Sequence, residues 1–462
     1  MKKIYLPLVA MLMATSTLLA NNIQLANTGL SDQNTGNHTS KIGFDVSWEN
    51  SWRTSSNEKN WDAAWIFVKF RKKGASSWLH ATLQTSGHTA ATGSNVTVPS
   101  DGKGAFIYRS ADGVGAVNFT GNKLVWSYGS DGVADADSVE INVYACEMVY
   151  VPQGAFYAGS NGSEDGHFRR GDKDSAFLIS SENSLTISTN AANLYWTAAG
   201  SSGPASGTLP AVFPKGFKAF YCMKYECSQQ QYVDFLNNLD EARAATRNPG
   251  GFTKAHPALE APFPERALGF LSFNDHGAYA DWAGLRPMTE LEYEKASRGA
   301  NIAPLPNEFA WGNTTVSYTS SLSEDGTTNE TALSGNAHYY NNWFNRPLRS
   351  GAYATSTSTR VSSGGTYYGI MEMSGNLYER VISVGTANGK TFTGEHGDGN
   401  LAADGSSDIA SFSTSTFYGF RGGHYLLSGA TTQLATSYRG VAGLNDLSRS
   451  AASGIRCVRT VE

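Results

Sequence analysis

Residues 420–459, FRGGHYLLSGATTQLATSYRGVAGLNDLSRSAASGIRCVR, open on Arg-Gly-Gly and close on Gly-Ile-Arg-Cys. Between those ends lie mostly Ser, Thr, Ala, Gly and Asn, with too little apolar periodicity for a helix or a strand core. That pattern predicts a long surface loop with fixed ends. Gly422 and Gly423 permit backbone conformations closed to other residues, and Arg421, Arg439, Arg449 and Arg456 offer planar donors able to pin a loop to carbonyls or carboxylates. A rigid frame around a variable middle suits a binding or active site.

Upstream of this stretch the chain is long for one domain, at 462 residues with 40% hydrophobic and 12% aromatic side chains. Charged residues are only 16% and glycines number 49, which predicts a loop-rich, β-rich protein. A net charge of −5 gives no electrostatic reason to expect nucleic acid as a partner. Residues 1–21 pair two lysines with an uncharged run ending in small residues, the build of a cleavable secretory signal. No later run is long and apolar enough to span a bilayer, so a secreted, periplasmic or cell-surface protein without a transmembrane segment is expected. Cys146, Cys222, Cys227 and Cys457 are compatible with disulfides or with buried thiols.

Residues 22–40 are polar and read as a mobile leader. Short alternating segments follow at 42–48, 63–70, 77–83, 104–110, 123–130 and 138–145, separated by turn residues, so 22–145 reads as an antiparallel β-sandwich-like domain. Its tryptophans Trp61, Trp65, Trp78 and Trp126 suit either stacking platforms for carbohydrate or, for residues inside strand patterns, core packing. VYVPQGAFYAGS at 149–160 predicts a hairpin opening a second domain over 146–462, and the Gly/Ser/Asn-rich 160–215 reads as a solvated insertion. Ser228 with Gln231, and Thr289 with Glu292, are capping boxes that start two helices.

Further segments fall in a fixed order: MVYVPQGAFYAGS at 148–160, AFYCMKYECSQQQYVDFL at 219–236, RPMTELEYEKASRG at 286–299, FAWGN at 309–313 and YGIMEMSGNLYERV at 368–381. With RGGHY and GIRCVR they resemble the formylglycine-generating (sulfatase-modifying factor) family, whose fold is a C-type-lectin-like variant. The resemblance covers residues 146–460 and implies an α+β domain in which Arg421, Gly422, Gly423, Gly454 and Arg456 frame the C-terminal loop. It also implies a calcium ion held by Glu372, Gly375, Leu377 and Glu379. Glu372 stands where the family has Asp or Asn, and the alternative for Glu379 is a plain ion pair with an arginine. The family's second calcium position, near Asn336, Ala337 and His338, is poorly matched.

At the catalytic positions the sequence departs from that family. Its oxidase uses two cysteines five apart as thiolate ligands for copper(I), and those positions fall on Leu427 and Thr432. No copper is expected. The histidines show no paired metal spacing, and Asp275-His276 is too common a pattern to argue a hydrolase. A non-catalytic protein that binds a protein or glycan ligand follows, with an oxidase or other enzyme on this scaffold and a structural surface component as alternatives. One version resembles the variable proteins of diversity-generating retroelements, and places the display positions at His424, Tyr425, Leu426, Leu427, Val441, Ala442, Leu444, Asn445 and Leu447.

Overall fold

The computed structural model describes residues 22–340, 343–429, 431–446 and 448–461. The expected signal segment, residues 1–21, and Leu447 lie outside them. The N-terminal half follows the alternation in the sequence. Its strands are β1 (Gln24–Asn34), β2 (Thr39–Arg53), β3 (Asp62–Lys72), β4 (Leu79–His80), β5 (Ser94–Thr97), β6 (Ala105–Arg109), β7 (Gly113–Trp126) and β8 (Val139–Val151). The sheet β1-β2-β7 faces the one containing β8-β3-β6-β5. On β2, Ile42, Phe44, Val46 and Trp48 point into the interior and meet Ala64, Ile66, Val68 and Phe70 of β3. Period-two burial is what makes this half legible.

The leader expected at 22–40 is instead largely β1. It pairs antiparallel with β2, from Gln24 opposite Ser47 to Asn34 opposite Thr39. Most of its side chains are exposed, so backbone hydrogen bonds rather than apolar burial hold it and its composition carries no sign of the strand.

The boundary read at 145/146 falls inside β8. That strand pairs with β3 from Lys72 opposite Val139 to Asp62 opposite Val149, and its last residues pair with Phe220–Met223, which in turn pairs with Cys457–Thr460. One eight-stranded sheet therefore runs through both halves. Trp65, Phe67 and Phe106 share a core with Tyr221, Phe235 and Trp282 on the far side of the boundary. The expected hairpin does not form, because β8 already has partners on both edges. Its predicted second strand, β9 (Phe156–Ala158), pairs with Phe177–Ile179.

Helices α1 (Gln229–Asn238), α2 (Glu241–Arg247), α3 (Phe273–Trp282) and α4 (Glu290–Arg298) pack in the second half. The capping boxes of Ser228 and Thr289 start α1 and α4 as read, and Gly299, at φ 98°, ends α4. Ser272 and Asp275 cap α3 in the same way. That helix is buried on all sides from Asp275 to Trp282, so it shows no amphipathic stripe to read.

The insertion is not solvated decoration. Its strands form a small sheet, and Phe168, Trp196 and Phe213 pack against Leu291, Ile382 and Phe412. The four cysteines are free and buried, and burial pushes the Cys146 and Cys222 thiols up to about 12. Among the described residues no helix is long and apolar enough to cross a membrane.

Candidate functional site

Arg421 ends the strand Tyr418–Arg421, opposite Glu379 on Glu379–Ile382. Its guanidinium is fully buried and donates to Glu290 Oε2 at 3.1 Å, Glu294 Oε1 at 2.6 Å and the Thr436 carbonyl at 2.6 Å. Arg439 meets the same Glu290 with Nε at 2.7 Å and Nη2 at 3.1 Å. One carboxylate at the start of α4 thus ties together two points of the C-terminal stretch. Arg456 donates to Glu379 Oε1 at 2.6 Å and to the carbonyls of Met223 and Met371. Arg449 grips both oxygens of Asp275, at 2.8 and 3.0 Å. Charge-assisted bonds of this kind are the strong ones.

The glycines serve the same frame. Gly422 sits at φ 84°, and a Cβ there would approach the Met373 carbonyl to 2.8 Å. At Gly454 the obstacle is Leu377 Cδ1, also at 2.8 Å.

Because the arginines reach inward, the stretch is not a surface loop: residues 434–440 are all buried. The display positions divide accordingly. Tyr425, Leu427 and Ala442 are buried, His424, Leu426 and Val441 are half-buried, and Leu444 and Asn445 are exposed. The expectation that the display positions face solvent is therefore corrected for Tyr425, Leu427 and Ala442. Tyr425 stacks on His338 with ring centres 5.7 Å apart, and Leu427 packs with Phe309, Trp311 and Leu434.

His424 lies at the rim. Its Nδ1 accepts from the Leu426 N–H at 3.2 Å, so in the neutral ring the proton sits on Nε2. Burial lowers its pKa to about 4, which keeps it uncharged at neutral pH. The ring lies 4.3 Å from that of Tyr378, whose hydroxyl donates to Gln433. Sequence reading missed the neighbours across this rim. Tyr340 bridges to Ser428 through the backbone, its ring lies against Gly429, and Tyr318 packs on it at 5.2 Å. Tyr340 lies 88 positions before Ser428 and Tyr318 110, and only the fold brings them together.

The positions of the family's copper thiolates hold hydrocarbon and hydroxyl. Leu427 is interior, and Thr432 is exposed at the start of a single 3₁₀ turn, Thr432–Leu434. These residues do not fit a copper(I) ion.

The residues read as calcium ligands fit a hard cation in part. Glu372 adopts φ 57°, accepts from the Gly351 N–H at 2.8 Å through Oε1, and keeps Oε2 buried without a partner. Burial pushes its carboxyl up to about 7. The carbonyls of Gly375 and Leu377 accept no hydrogen bond among the described residues. Glu379 is the exception, because Arg456 already occupies Oε1. Unread in the sequence was a third buried carboxylate, Glu226, which accepts from the Leu377 N–H at 2.9 Å and from the Asn376 amide. At the second family position Asn336 Oδ1 already accepts from the Ser317 N–H at 2.9 Å. Elsewhere Asp281, Asp398 and Asp408 bring carboxylate oxygens within 4.8 Å of one another, and burial pushes Asp281 up to about 7.

A Gly-Gly turn and a Gly-Ile-Arg-Cys strand, both pinned by buried arginines beside capped helices and an antiparallel sheet, define a domain of the sulfatase-modifying type. The sulfatase-modifying factor enzyme 1-like domain matches residues 132–461, more than half of the chain, and the protein belongs to that family. The match starts ahead of β8, so the family unit takes in the whole of that strand. No curated protein is significantly similar to the chain.

Proposed function

We propose that this protein is a secreted or cell-surface member of the family that has lost the oxidase reaction and binds a protein or glycan ligand at the rim of residues 421–459. The observation that carries this reading is the pair Leu427 and Thr432 where the oxidase has cysteines, inside an intact arginine frame. Without thiolates there is nothing to hold copper(I) and activate oxygen. The neutral groups that reach solvent are the His424 ring, Leu426, Gln433, Leu444 and Asn445, with Tyr318 across the rim, and the half-buried charges beside them are Asp446 and Arg449. Mixed apolar and hydrogen-bonding groups of this kind suit recognition. The catalytic half is tested by offering the protein a cysteine-containing sulfatase peptide with copper and oxygen; the thiol is expected to survive. For the binding half, peptide and glycan arrays are probed with the protein and with a Leu426→Ser, Leu444→Ser variant. Signals common to both would count against the rim.

Calcium belongs to the same proposal. Glu372, Gly375 and Leu377 would supply oxygens, with Glu379 contributing the oxygen that Arg456 leaves free. A ligand that binds only the folded state raises its stability, so chelation should lower the melting temperature. Glu372→Gln should remove that sensitivity while sparing the Arg456 pair. Identical melts with and without chelator would take calcium out of the account.

A further inference from the structure

The four tryptophans of the N-terminal half separate in the fold. Trp65 and Trp126 are core, and Trp61 is stacked between Tyr108 and Tyr150 at 5.4 and 3.9 Å. Trp78 is different: it is half-buried and lines a cleft of about 230 Å³ where the segment before β4 meets α1, α2 and residues 399–401. We infer that this cleft binds a neutral sugar ring.

Its shape and chemistry match a pyranose, which has a flat C–H face and a rim of hydroxyls that each donate and accept. The Arg71 guanidinium covers one face of Trp78 at 4.5 Å and is itself bound to Glu140 at 2.5 Å, which fixes the indole before any ligand arrives. No other aromatic ring packs on Trp78 among the described residues. Behind it Trp282 makes a rigid wall, buried, with Nε1 donating to Asn238 Oδ1 at 2.9 Å.

The rim is polar and has bonding capacity to spare. Asp240 accepts one bond on each oxygen, from Arg243 N at 3.0 Å and Arg243 Nη1 at 3.2 Å, and a carboxylate oxygen can take a second. Asn400 is exposed, and its side-chain amide makes no hydrogen bond among the described residues. Arg243 spends three of its five N–H donors on Asp240 and on the carbonyls of Ala402 at 3.0 Å and Leu401 at 3.1 Å, so its charge is already balanced by Asp240 and two N–H groups are left for a hydroxyl. With Asp240 at the rim, a negatively charged ligand is disfavoured and a neutral one is not. The volume is below the ~300–1,000 Å³ of sites for drug-sized ligands, and suits one ring rather than a buried chain.

This cleft shares no residue with the rim of 421–459, so the two readings stand or fall separately. The test uses the full chain in saturation-transfer NMR with the methyl glycosides of glucose, galactose, mannose and N-acetylglucosamine, each at about 10 mM, where a Kd near 1 mM gives nearly full occupancy. At least one glycoside is expected to show transfer, and Trp78→Ala to weaken it about tenfold or more. Asn400→Ala, at an exposed position that does not threaten folding, is expected to weaken it severalfold; a loss in either variant supports the site. No transfer from any of the four, or affinity unchanged in both variants, overturns it.

Discussion

The two halves of the molecule keep their interiors together by different means. In the sandwich the buried set is mainly apolar and alternates along the strands, as Ile42, Phe44, Val46 and Trp48 do on β2, with Asp62 and Lys69 of β3 as buried charges. At the centre of the family domain the buried set is charged. Glu290, Glu292, Glu294 and Glu379 sit against Arg286, Arg298, Arg421, Arg439 and Arg456, all essentially inaccessible. Apolar burial is non-directional and forgiving of small changes, whereas an ion pair out of water is sensitive to the loss of either member. The family domain can therefore hold a long irregular stretch in one geometry with little helix or strand.

If the halves were independent units, that comparison would be a comparison of two proteins. The shared sheet says otherwise. A chain truncated to 146–462 would lose Trp65, Phe67 and Phe106 from a common core and strip β3 from the edge of β8. It is expected to be insoluble or to bind hydrophobic dyes where the full chain is soluble and does not. A soluble truncated chain with a sharp melt would show that the halves are separable after all.

Within the intact chain, Glu290→Ala leaves Arg421 and Arg439 short of their common partner. The expected loss is about 3–5 kcal/mol, as for other broken buried pairs. Ile42→Val in the sandwich removes one methyl group and should cost about 0.5–1.5 kcal/mol. Urea denaturation of both variants checks the contrast. Equal costs would mean that the charged centre is no more specific than the apolar one.

A smaller effect is expected at the rim. Burial holds the His424 pKa near 4, below the ordinary histidine value, so between pH 4 and 6.5 the unfolded chain binds more protons than the folded one. This residue's contribution to stability is thus present above pH 6.5 and lost as pH falls to 4. Protonation would also put a hydrogen on Nδ1, which accepts from Leu426. Asp281 and Glu265, raised to about 7 by burial, have the opposite sign over part of that range, so the measurement is a difference. The acid limb of the stability curve should be shallower in His424→Gln than in the unaltered protein. Parallel curves would mean the ring titrates as it does in the unfolded chain.

What could be read without the fold follows the same division. Strands β2, β3, β6 and β8 and the capped helices α1 and α4 declare themselves over a few residues, because their signals are local periodicity and capping. Arg421, Arg439, Arg449 and Arg456 were legible as pins, but not what they pin: Arg421 and Glu290 are 131 residues apart, and Arg439 and Glu290 149. For the same reason a stretch without periodicity read as surface, although its middle is interior. Tyr425 and Leu427 looked like a display surface because a Gly-Gly turn does not say which side of it faces inward. Glu379 was rightly given an arginine as its alternative partner, and that pair is present.

We propose that the arginine frame has outlived the oxidase reaction. The direct measurement is mass spectrometry of a cysteine-containing sulfatase peptide incubated with the folded protein, copper and oxygen. The peptide is expected to keep its thiol, as in a control without protein. Time-dependent formation of formylglycine above that control would contradict the account and give the protein an oxidase site that does not use the positions of Leu427 and Thr432.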